Sequence, residues 1–112
     1  VLRVTRHDPE PAQIAELKAA YGDDVQIVTL LVFRIDASLI RDLVEEYEAD
    51  ALELIAPLGI IARVLTRNFP VPLLKAQRPY NAETGRAEFS HYEVIEWVEV
   101  HRRPLIPAER PV

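Results

Sequence analysis

Apolar residues recur along this chain in two rhythms that take turns, one of period two and one near 3.6. VLRVT runs into Arg6 and His7, and this spacing predicts a strand over residues 1–6. From Pro9 to Tyr21 the apolar positions Ile14, Leu17 and Tyr21 fall at helical spacing. Asp8 is the expected cap, Pro9 fits the first turn, and Gly22 is the stop. DVQIVTLLVF follows as an almost unbroken β-branched and aliphatic run, the pattern of a parallel interior strand covered on both faces. Leu39, Ile40, Leu43, Val44 and Tyr47 then form one stripe of a helix capped by Asp36 or Ser38, leaving Arg41, Asp42, Glu45, Glu46 and Glu48 for water. ALELIAP predicts a third strand, Leu58 to Asn68 a short helix with Ile61, Val64 and Leu65 inward, and VPLLKAQ a fourth strand.

The last third keeps only period two. RPY and AEFSHY flank the turn NAETGR, where Gly85 takes the position that needs a positive φ. EVIEWVEVHRR alternates through Val94, Trp97 and Val100, with a slip between Ile95 and Trp97 of the kind a bulge produces. Strands alternating with helices of this length need crossover connections. The order therefore predicts a mostly parallel sheet with helices on both faces, and an antiparallel hairpin added at its edge. Residues 1–103 read as one domain and 104–112 as a proline-rich extended tail.

Composition narrows the function more than the fold. A chain of 112 residues closes a modest core without a staple. The absence of cysteine removes thiol nucleophiles, redox motifs and zinc ribbons, and makes a cytoplasmic location the default expectation. Arg3, Arg6, His7 and Asp8 interrupt any leader-like apolar run, and no stretch approaches the roughly 20 apolar residues of a membrane span. A net charge of −5 argues against a protein that coats duplex nucleic acid. Charge is nevertheless segregated: Arg63, Arg67, Lys75, Arg78 and Arg86 face only Glu83 between residues 60 and 87, which suits a small anionic ligand.

The ends of parallel strands are where an open α/β sheet holds its ligand, so the residues just past each strand are the candidates. His7 is either a phosphate donor and proton-transfer group or an ordinary loop histidine. Arg6 either binds an anion or pairs with the acidic start of the helix, and Thr5 either contacts ligand or packs. Arg34 follows the second strand. Gly59 and Ile60 offer backbone N–H groups where the third strand turns into a helix, although Pro57 and Gly59 equally serve simply to make that turn. Lys75, Arg78 and Tyr80 lie on the fourth strand and its hairpin, where Tyr80 is placed to stack on a base. Glu53, inside the third strand, must be paired across the sheet or face outward. No G-x-G-x-x-G or Walker sequence is present, the three histidines are far apart, and Ala56 and Pro57 stand where a receiver domain carries its aspartate. No cofactor and no metal are expected.

RHDPEPAQIAELKAAYG, with its histidine after the first strand, and the closing GRAEFSHYEVIE together resemble the small CRISPR accessory proteins related to CARF domains. The resemblance spans most of the chain as an order of elements and a few residues, without a diagnostic motif. It implies a Rossmann-like three-layer α/β sandwich, a homodimer with facing ligand edges, and a cyclic oligoadenylate as the small anionic nucleotide bound. It also implies metal-independent ring-nuclease cleavage, with His7, Arg6 and Lys75 as catalytic groups and Thr5, Arg34, Gly59, Ile60, Arg78 and Tyr80 around the ligand. The alternatives are a module that sequesters such a ligand without turnover, and an interaction protein of phages or mobile elements acting through its tail and hairpin.

Overall fold

The computed structural model describes residues 1–66, 68–99, 101 and 103–105. Its elements are β1 (Leu2–Val4), α1 (Pro11–Tyr21), β2 (Val28–Leu30), α2 (Ala37–Glu46), β3 (Leu52–Leu54), α3 (Leu58–Val64), β4 (Leu73–Gln77), β5 (Tyr80–Asn81), β6 (Arg86–Ala87) and β7 (His91–Ile95). Five strands form one sheet in the order β2-β1-β3-β4-β7, parallel except for the antiparallel β4–β7 pair at the end. β5 and β6 form a separate antiparallel hairpin, closed at Gly85 with φ 70°. The architecture is Rossmann-like α/β, as the alternation of elements predicted, with one difference: the hairpin stands apart and β7 alone extends the sheet.

Alternation along the strands divides the interior in two. Leu2, Val4, Leu52, Leu54 and Leu73 point to one face and are covered by Ile40 and Val44 of α2 and by Ile61 and Val64 of α3. Ala51 and Leu74 point to the other face, beneath Leu17 and Tyr21 of α1. Each fully buried aliphatic side chain contributes roughly 1.5–3 kcal/mol relative to an exposed one, so these two layers hold the sheet between its helices.

Several local expectations need correction. β2 is an edge strand of three half-buried residues, not an interior one; the end of its apolar run, Leu31 to Phe33, lies beyond the strand. The cap of α1 is Glu10 rather than Asp8, because the helix begins at Pro11 and the Gln13 side-chain oxygen accepts the Glu10 N–H at 2.8 Å. Asp36, not Ser38, caps α2, accepting the Leu39 N–H at 2.9 Å. Substituting Asp36 by Ala is expected to lower the unfolding free energy by about 1 kcal/mol, with Asp36→Ser retaining most of it in urea titrations. α3 stops at Val64 rather than Asn68, since the Arg41 Nη2 donates to the carbonyls of Arg63 and Val64 and to Thr66 Oγ1 and so closes the helix end. β7 ends at Ile95, where the alternation slips, instead of continuing past a bulge. Pro104 and Leu105 are exposed and irregular, while Arg67, Val100 and the rest of the predicted tail lie outside the described residues.

Candidate functional site

In a parallel sheet the chain changes direction where consecutive connections leave a strand on opposite faces, and a crevice opens there at the carboxyl ends. Here that strand is β1, which has β2 on one side and β3 on the other. α1 leads from β1 to β2 on one face, and α2 leads from β2 across to β3 on the opposite face. A cavity of about 270 Å³ lies at this point, lined by Val4, Thr5, Arg6 and His7 after β1, by Leu31, Val32, Phe33 and Ile35 after β2, and by Ile55 after β3.

The two walls differ in chemistry. The β1 wall carries a hydroxyl, a guanidinium and an imidazole, and among the described residues no carboxylate lines the cavity. The β2 wall is apolar, and two of its large members remain open to solvent, Leu31 and above all Phe33, which is 96% exposed; Ile55 after β3 is open as well. The walls are tied together by the Thr5 N–H, which donates to the Leu30 carbonyl at 3.2 Å.

A buried polar network supports the β1 wall from below. Arg3 and Glu53 occupy the same row of adjacent strands, and are only 2% and 1% exposed. Arg3 Nε donates to Glu53 Oε1 at 2.9 Å and Nη2 to Oε2 at 3.4 Å. Its Nη1 donates to Thr29 Oγ1 at 2.9 Å and to the backbone carbonyl of His7 at 3.1 Å. Since Thr5 Oγ1 also accepts the His7 N–H at 3.4 Å, the turn carrying His7 is pinned from both sides while its ring stays exposed. The Tyr92 hydroxyl of β7 donates to Glu53 and accepts from Gln13 Nε2 of α1 at 3.1 Å. Burial, followed by the hydrogen bond and the repulsion from the Glu53 carboxylate, pushes the Tyr92 phenol far above its ordinary value. Among the described residues no buried side-chain polar atom is left without a partner.

The sequence candidates are only partly gathered here. Thr5, Arg6 and His7 line the cavity together. Arg34 sits in the lining loop between Phe33 and Ile35, but outside the lining itself. Arg78 follows β4 on the same edge, where its Nη1 and Nη2 both reach Glu10 Oε1 at 3.1 Å, committing it to the start of α1. Lys75 lies within β4 opposite Glu93 of β7, outside the cavity lining, and Tyr80 belongs to the separate hairpin. The Ile60 N–H, expected beside Gly59 as a free donor, donates to the Pro57 carbonyl, as does the Ile61 N–H, because the short helix closes its own first turn. His91 is exposed, with Ser90 Oγ on Nδ1 and Glu93 Oε1 on Nε2.

Sequence reasoning missed Phe33, Ile55, Arg3, Tyr92 and Gln13. One signal was present for the pair: LRV and LEL are both apolar-charged-apolar strands, with opposite charges at the centre. Another was the length of DVQIVTLLVF, longer than a strand at the edge of a small sheet needs. No group of three metal-ligating side chains occurs among the described residues, and no helix there is long and apolar enough to cross a membrane. Comparison with protein-family models, curated proteins and solved structures finds no match to this chain.

Proposed function

We propose that the cavity at the carboxyl ends of β1, β2 and β3 binds a small anionic nucleotide, a cyclic oligoadenylate being the form that the family resemblance implies. What supports this most directly is the lining itself: Arg6, His7 and Thr5 on one wall with no carboxylate among them, in a protein of net charge −5. Small-molecule sites begin at roughly 300 Å³, so a cavity of about 270 Å³ takes one nucleotide unit, not a whole ring. A symmetric cyclic ligand would then bridge two copies of the chain across a twofold axis.

Cleavage of such a ligand needs no metal if a ribose 2′-hydroxyl attacks the adjacent phosphorus in line. The P–O5′ bond breaks, a 2′,3′-cyclic phosphate forms, the 2′ proton goes to a base, and another proton reaches the departing 5′ oxygen. Arg6 would neutralise the charge that grows on the phosphoryl oxygens, and His7 would serve one of the two proton transfers. One observation favours retention without turnover: among the described residues His7 is the single acid-base side chain lining the cavity, whereas the reaction uses two such transfers.

Incubation with cyclic tetra- and hexa-adenylate in EDTA, read by melting temperature and by product analysis, tests the proposal. Binding raises the melting temperature by mass action. Arg6→Ala and His7→Ala are each expected to weaken binding about tenfold or more, the scale of a lost hydrogen bond to a charged group. Native mass spectrometry of the liganded sample is expected to show two subunits. No thermal shift and no linear product with any nucleotide would overturn the proposal.

A further inference from the structure

The β2 wall of the cavity holds a side chain whose exposure is hard to explain by folding. Phe33 is 96% exposed although it lies between β2 and the Asp36 cap of α2, in a loop whose neighbours Val32 and Ile35 both pack on the core. Both ends of this loop are fixed: Leu30 accepts from Thr5, and Asp36 holds Leu39. The aromatic side chain is therefore held exposed on a residue that lines the same cavity as Arg6 and His7. A ligand that satisfies both walls must be charged at one end and flat and apolar at the other.

We infer that Phe33 is the stacking platform of this cavity, and that the ligand class it selects is a phosphate bearing a nucleobase, not a sugar phosphate or a free anion. The inference rests on the nucleotide reading of the same cavity and adds to it the residue that makes the distinction. Leu31 and Ile55 border the mouth and would cover the edge of a stacked base, which limits its contact with water. Tyr80, the aromatic that the sequence offers for this role, belongs to the separate hairpin and does not line the cavity.

Binding of AMP, ribose 5-phosphate and inorganic phosphate to the unaltered protein and to Phe33→Ala, Phe33→Leu and Phe33→Trp provides the test, by isothermal titration calorimetry. Because Phe33 packs on so little, none of these substitutions is expected to move the melting temperature of the free protein by more than a degree or two. AMP should bind at least tenfold more tightly than ribose 5-phosphate. Phe33→Ala should weaken AMP by about five- to a hundredfold, the range of base–aromatic stacking, and leave ribose 5-phosphate unchanged. Phe33→Leu should fail to restore AMP binding and Phe33→Trp should restore it. Equal affinity for AMP and ribose 5-phosphate, or an equal loss of both in Phe33→Ala, would overturn the role of Phe33 while leaving an anion site standing. If none of the three ligands binds, the nucleotide reading beneath it falls as well.

Discussion

Glu53→Ala is expected to destabilise the protein by about 3–5 kcal/mol, the range found when one partner of a buried ion pair is removed. The loss is that large because of what remains. The Arg3 guanidinium stays under the α1 layer, 2% exposed, with its charge no longer balanced and two of its N–H donors released. The Tyr92 hydroxyl loses its acceptor at the same time. Against a total of roughly 5–15 kcal/mol for a domain of this kind, such a change leaves a protein that unfolds at low urea. Removing both charges together has a different outcome: in Arg3→Met with Glu53→Leu, the sum of the single effects should exceed the double by several kcal/mol. Two aliphatic side chains in that row no longer need desolvated charge to be balanced. Urea unfolding of the two singles and the double measures this coupling, and a cost below about 1 kcal/mol for Glu53→Ala would contradict the buried pair.

The second large effect is alkaline. The Tyr92 phenol is raised, first by burial and then by the Glu53 carboxylate beside it, so the folded protein holds this proton more tightly than the unfolded chain does. Its contribution is fully present below the unfolded value of about 10 and is lost as pH climbs from there toward the higher folded value. Stability should therefore fall above pH 10 by at most about 1.4 kcal/mol per pH unit for one proton, less in so far as water reaches the ring. Tyr21 adds to the same decline, being raised by burial and then by Asp50. Tyr92→Phe should begin less stable at pH 8, having lost its bonds to Glu53 and Gln13, and then decline more gently toward pH 12. Urea titrations followed by circular dichroism across that range separate the two curves, and parallel slopes would contradict the assignment.

The order of elements and the inward positions of α2 and α3 were legible because each depends on short-range spacing, whereas α1 buries Gln13 beside Leu17 in place of the expected Ile14. Ile40 and Val44, or Ile61 and Val64, fall inward wherever the partner lies. Gly85 was legible for a similar reason, since a tight turn with positive φ has few residue choices. The position of β2 was not legible: a continuous apolar run looks alike whether two helices cover it or part of it lines a cavity, as Leu31, Val32 and Phe33 do. DPEP offers two registers for the start of α1, and only the reach of Gln13 back to Glu10 decides between them. The site was half legible. Residues that follow β1 reach the crevice, because the crossing of connections fixes it there. Basic residues farther along are drawn off by neighbours that sequence spacing does not reveal, Glu10 for Arg78 above all. Glu53 announced that it needed a partner, yet only the pairing of β1 with β3 names Arg3.

The first helix and the last strand are joined more closely than their places in the chain suggest. Gln13 and Tyr92 meet across 79 residues, and the Glu16 carboxylate accepts the Tyr92 N–H at 3.0 Å. Gln13 also accepts the Glu10 N–H, so one side chain serves both the start of α1 and the docking of β7. Contacts so distant along the chain form late and slowly. A nascent polypeptide therefore completes this junction only after Tyr92 has been synthesised.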